Sequence, residues 1–151
     1  MIRFIRWGLM SVLVPLLAAC AAPGAKFTGL PVPVADQGDI YLYRADNLYA
    51  IGQPFDVMLD DKAIGKLYNA SYQHLRRPAG NYLLKVSPGY NAKTSEITVQ
   101  VTPGKTQFFQ FDFQYDLILG SLGNSSFPNS SIQARPQERA LVDLRDLSAA
   151  K

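Results

Sequence analysis

The chain has 151 residues, 48% hydrophobic and 18% charged, which suits one domain of ordinary size and excludes an intrinsically disordered chain. Its single cysteine, Cys20, excludes an internal disulfide and a sulfur-rich metal site, and its 15 basic and 12 acidic residues are interspersed rather than gathered into runs. Arg3 and Arg6 fall in a segment read below as removed; without them the net charge drops from +3 to +1, and nucleic-acid binding or polybasic membrane attachment loses its main support.

Arg3 and Arg6 precede an apolar stretch, Trp7 to Leu17, broken only by Ser11 and Pro15, and small residues follow at Ala18 and Ala19. This is the layout of a secretory signal. The apolar run is shorter than the roughly 20 residues a membrane-spanning helix needs. Leu17-Ala18-Ala19-Cys20 resembles the lipobox of bacterial lipoprotein signals. That resemblance implies removal of residues 1–19, a diacylglyceryl thioether on Cys20 and an acylated amino terminus. At roughly 0.8 kcal/mol per buried CH₂, two or more acyl chains anchor stably. Ordinary cleavage after Ala19 or Ala22, with Cys20 incidental, is the competing reading, and an uncleaved anchor is a third. Ala21 stands where enterobacterial lipoproteins kept at the inner membrane carry aspartate, which points to the outer membrane, with the domain facing the periplasm.

Residues 20–38 contain Pro23, Pro31, Pro33, Gly24 and Gly29 and no apolar periodicity, so they read as a lipidated cysteine followed by a flexible tether. At polyproline spacing of about 3.1 Å per residue, such a tether holds the domain some tens of ångströms from the membrane. The alternative is that Phe27 to Val34 docks on the domain as an edge segment.

Residues 39–151 predict strands between turn signals. Ile40 to Arg44 is apolar or aromatic on both alternating sets, as in a strand covered on both faces. Phe55, Val57 and Leu59 alternate with Asp56, Met58 and Asp60, and Asp60-Asp61-Lys62 turns the chain into Ala63 to Leu67. Tyr72 to Arg77 follows, closed by Pro78-Ala79-Gly80, and then Tyr82, Leu84 and Val86 lead to Pro88-Gly89. Ile97, Val99 and Val101 alternate with Glu96, Thr98, Gln100 and Thr102, giving one core face and one solvent face. After Pro103-Gly104-Lys105, the residues Phe109, Phe111, Phe113 and Tyr115 share one face of a further strand. Large rings at period two read as core rather than as a ligand platform. Asn124 to Ser131 reads as a loop, and beyond Pro136 the spacing of Ala140, Leu141, Leu144 and Leu147, with the Arg139–Asp143 pair, predicts a short helix. The sum is a mainly β domain: a single antiparallel β-sandwich of about seven strands, of immunoglobulin or carboxypeptidase-regulatory type, with a short C-terminal helix.

Several landmarks, in order, resemble a bacterial domain of unknown function, number 2846. They are Tyr41-Leu42-Tyr43-Arg44, Phe55-Asp56-Val57, Asp60-Asp61-Lys62-Ala63-Ile64-Gly65, Asn69-Ala70-Ser71-Tyr72, Pro78-Ala79-Gly80 and Pro103-Gly104-Lys105-Thr106. The stretch runs from about Asp39 to Asp112. Ala45 stands where that family usually has proline, and Asp61 and Ala70 stand where it often has glycine; aspartate tolerates a left-handed turn, alanine poorly. The resemblance implies a small β-sandwich commonly carried on lipoproteins and implies no activity, which fold alone does not supply.

Catalysis finds few candidates. His74 is the one histidine, and no nucleophile-elbow pattern surrounds Ser71, Ser87 or Ser121. Asp60 and Asp61 are adjacent on a turn and explain turn formation better than acid–base work. No glycine-rich loop has the strand-to-helix context of a phosphate site, and neither a metal site nor a cofactor is expected. Two features suit binding instead. Tyr72, His74 and Arg76, with Tyr41 and Tyr43, form a candidate polar-aromatic surface. Leu117, Ile118, Leu119, Leu122 and Phe127, among glycines and serines, form a candidate contact loop, unless Leu117 to Leu119 extends the preceding strand. The expected function is a non-catalytic binding or assembly module of the envelope. Its partners are the membrane, through the lipid, and an envelope protein or cell-wall component, with no nucleic acid. The alternatives are an accessory periplasmic hydrolase and an inhibitor or immunity-type lipoprotein.

Overall fold

A computed structural model describes residues 24–48, 50–89, 93–120 and 123–150, giving the backbone path alone over 115–120 and 123–128. The signal, Cys20 and Leu122 lie outside the described residues, as do the side chains of Leu117, Ile118, Leu119 and Phe127. In chain order the elements are β1 (Gln37–Arg44), β2 (Phe55–Leu59), β3 (Lys62–Leu67), β4 (Ser71–Pro78), β5 (Gly80–Ser87), β6 (Ser95–Val101), β7 (Thr106–Gly120), β8 (Gly123–Arg135), α1 (Gln137–Leu144) and β9 (Ser148–Ala149).

Local chemistry sets the turns. Asp60 and Asp61 both have positive φ, 50° and 61°, the conformation of a two-residue hairpin turn whose twist matches the flanking strands. The carboxylate of Asp60 accepts the Leu83 amide at 2.8 Å, and that of Asp61 pairs with Lys85 at 2.7 Å, so the turn is fastened to β5. At Pro103-Gly104 the proline presets φ and Gly104 supplies the positive φ of 69°, closing a turn through Lys105 N to Thr102 O at 3.2 Å. That turn carries the chain from one sheet to the other.

The larger sheet has the order β8-β7-β1-β4-β9, and the smaller has β3-β2-β5-β6. They pack face to face through Ile40, Leu42, Phe55, Val57, Leu84, Val99, Phe109, Phe111 and Phe113, all buried. The protein is therefore a β-sandwich with a short C-terminal helix. The rings of Phe109, Phe111 and Phe113 are core, as period two predicts.

Two details depart from the sequence reading. Nine strands occur among the described residues rather than about seven, and the larger sheet is mixed: β1 runs parallel to β7, and β4 parallel to β9. The additional strands are β8 and β9. Asn124 to Ser131, expected as a loop, lies within β8, which pairs with β7 from Phe108↔Arg135 to Gly120↔Gly123. A strand's ladder needs only a partner's backbone groups, so a serine- and asparagine-rich sequence pairs once β7 supplies them. Leu117 to Leu119 continues β7, the second of the two readings offered for it.

The outer face of the larger sheet, turned away from the smaller one, carries a second apolar cluster. Tyr41, Tyr43 and Phe108 are buried there beneath Ala140 and Leu144 of α1 and the following Leu147. Each fully buried leucine contributes roughly 1.5–3 kcal/mol, enough to hold a helix far too short to form alone.

Candidate functional site

The polar-aromatic residues singled out in the sequence lie on this outer face, where strand register aligns them. Tyr41 opposes His74, Tyr43 opposes Tyr72, and Asp39 opposes Arg76. All six alternate onto one side because side chains at i and i+2 share a face. The structure divides them. Tyr43 is fully buried, and its hydroxyl donates to Asp143 of α1 at 2.9 Å. Tyr41 is also buried, stacked between His74 at 4.6 Å and Phe108 at 5.6 Å. Only Tyr72, His74 and Arg76 reach solvent, each in part.

Asp39 organises this group, and the sequence reading missed it. Its carboxylate is buried, with 4% of the side chain exposed. Oδ1 accepts from Arg76 Nε at 2.8 Å and bonds His74 Nε2 at 2.6 Å, while Oδ2 accepts from Arg76 Nη2 at 3.1 Å. Burial by itself raises a carboxyl's pKa; here the hydrogen bonds and charges of Arg76 and His74 outweigh it and hold Asp39 below the usual carboxylate range. The same carboxylate raises the pKa of the Arg76 guanidinium further. Burial pushes the Tyr41 hydroxyl up to about 12, with the Asp39 charge adding to it, and raises Tyr72 and Tyr43 as well. The signal for Asp39 was present in the period: it precedes Tyr41 by two residues and ends the same stripe.

Residues before β1 complete the cluster. Phe27 sets its ring edge-on against Tyr41 at 5.9 Å and Tyr72 at 5.7 Å. Backbone bonds run from Phe27 N to Leu147 O at 3.1 Å and from Ala149 N to Ala25 O at 2.8 Å, and Lys26 bridges Ser148. Arg76 Nη2 also donates to Val32 O at 2.9 Å. Part of the stretch expected as tether is thus laid along the domain, because Phe27 finds an aromatic socket and the short β9 offers its backbone.

Chemically the group is well satisfied. Nε2 of His74 is engaged by Asp39, so Nδ1 is the atom left to meet a substrate. Among the described residues the His74 side chain is hydrogen-bonded to Asp39 rather than to a hydroxyl, and no three His, Cys, Asp or Glu side chains converge to hold a metal ion. Two cavities among the described residues are lined by other side chains. One of about 620 Å³ is lined by Lys93–Glu96 and Asn129–Ile132, between the edges of the two sheets, where Ser95 and Ser130 share a hydrogen bond of 2.7 Å. The other, about 470 Å³, is lined by Ala45, Gln110, Arg135, Pro136, Arg139 and Asp143. Neither reaches His74.

The candidate contact loop forms the far half of the β7–β8 ribbon. Leu117 opposes Ser126, Ile118 opposes Ser125, and Phe127 opposes Asp116. No helix among the described residues is long and apolar enough to cross a membrane. No family model, curated protein or solved structure matches the chain.

Proposed function

We propose that the chain is a lipid-anchored lipoprotein of the bacterial envelope, cut before Cys20 and held in the outer membrane. Its β-sandwich then acts in the periplasm as a non-catalytic binding or assembly module of the kind numbered 2846. The observation that carries the anchor is the basic, apolar and small-residue sequence ending in Leu17-Ala18-Ala19-Cys20. The module reading draws on the mutual saturation of Asp39, His74 and Arg76, which makes a fixed display of Tyr72, His74 and Arg76 rather than a reactive cleft. The anchor is tested by replacing Cys20 with serine and following incorporation of labelled palmitate; acylation that persists in Cys20→Ser rejects it. For the module, capture from crosslinked envelopes is compared between the parent protein and a Tyr72→Ala, His74→Ala double variant. Loss of a specific partner is expected, and an unchanged set of partners rejects this surface.

The His74–Asp39 contact at 2.6 Å favours one second reading, an accessory hydrolase in which Asp39 orients His74 as a base. Hydrolysis of envelope-derived substrates by the parent protein, lost in His74→Gln, would favour it over the module.

A further inference from the structure

The strap formed by residues 24–32 bears on how the domain sits at a membrane. Gly24 lies so close to Ala149 that a Cβ there would approach the Ala149 oxygen to 2.1 Å. Ala25, Lys26 and Phe27 are tied to Leu147, Ser148 and Ala149 by backbone contacts, and Lys26 Nζ donates to Asp146 O at 2.7 Å. Farther along, Arg76 holds Val32 O. The strap is therefore attached at both ends, and the polypeptide between Cys20 and the docked body is only the span from Cys20 to Gly24. Four residues extend no more than about 14 Å. A spacer of nineteen residues would have reached several times farther.

Resting on the reading that Cys20 carries lipid, we infer that the strap is the membrane-facing element of the protein and that the domain lies against the bilayer instead of standing off from it. A link this short keeps Gly24, the start of the strap, within about 14 Å of the lipidated cysteine. The strap's own chemistry fits a lipid surface: Val32 is 83% exposed and Leu30 36%, two of the five large apolar side chains exposed among the described residues, the others being Leu48, Ile51 and Val142. Apolar side chains beside a lipid anchor gain free energy by entering the headgroup and acyl boundary. The occupant of this surface is the lipid that receives the acyl chains of Cys20.

The test uses the full chain, processed in a bacterial host and reconstituted in phosphatidylethanolamine and phosphatidylglycerol vesicles, some with brominated acyl chains. Its one tryptophan, Trp7, leaves with the signal. Val32→Trp and, on the exposed face of β6, Glu96→Trp therefore each introduce a single depth probe. Intact mass establishes acylation first. The Val32→Trp probe is expected to shift to the blue and to lose intensity with brominated lipid, while the Glu96→Trp probe stays unquenched. Adding Phe27→Ala, with the fold checked by circular dichroism, should release the strap and weaken the contrast between the probes while the protein still floats with vesicles. Acylated protein whose two probes respond alike, or whose Val32→Trp probe stays in water, overturns the inference and leaves the anchor intact. Protein without the acyl mass removes the anchor, and the inference with it.

Discussion

The two faces of β1 carry different kinds of core. Inward, Ile40 and Leu42 meet the smaller sheet in a cluster of apolar side chains, with the Arg44 guanidinium 4.6 Å over the Phe55 ring at its edge. Outward, Asp39, Tyr41 and Tyr43 meet residues from both ends of the described chain, Phe27 on one side and Leu144 and Leu147 on the other, and the Asp39 carboxylate and the Tyr43 hydroxyl each have a partner. Apolar packing is non-directional and supplies most of the stability. A buried polar group instead demands one partner in one place, so the outer face fixes where strap and helix dock.

If that division holds, truncation of the inner face should do the most damage. Phe111→Ala is expected to destabilise by about 4 kcal/mol, read from chemical denaturation, because it leaves a cavity beside Phe55. On the outer face, Asp39→Ala should lose about 2 kcal/mol and loosen the strap, seen as faster amide exchange at Phe27 and Ala149. A loss equal to that of Phe111→Ala would erase the distinction between the faces. Tyr43→Phe, which removes only the bond to Asp143, should lose about 1 kcal/mol and increase exchange within α1.

The ionisable groups sharpen the comparison. Asp39 has a folded pKa below its ordinary 3.8, so its stabilisation is complete above about that pH and disappears as pH falls through the lower folded value. Asp39→Asn should flatten the acid limb of stability against pH. Tyr41 works in the opposite direction. Its pKa rises from 10.0 to about 12, so stability falls between those values as pH increases, and Tyr41→Phe should flatten that alkaline limb. The smallest effect expected is a gain. Ala70 has a φ of 50°, costly for alanine, and Ala70→Gly should stabilise by about 0.5–1 kcal/mol in thermal unfolding.

The inner face was the more legible in the sequence. Phe109, Phe111 and Phe113, and likewise Val57 with Leu59, announce burial because alternation alone decides which face is apolar. The outer face was half legible. Tyr72, His74 and Arg76 declared a stripe, but its mate Asp39 sits at a strand's start beside Gly38, and the burial of Tyr41 and Tyr43 depends on a helix about 100 residues away. β8 and β9 were not legible because pairing created them: their side chains carry no strand pattern of their own. The docking of Phe27 depends in the same way on a socket built from distant residues.

The parallel pairing of β1 with β7 has a consequence for how the chain folds. The contacts of β1 span about 35 residues to β4 and about 67 to β7, whereas β2 with β3 and β5 with β6 close as short local hairpins. Loop closure over such distances slows folding. The smaller sheet can assemble early, but β1 must wait for some 67 further residues before β7, its second neighbour, arrives. The larger sheet is therefore completed only after its last strands, β7, β8 and β9, have been made.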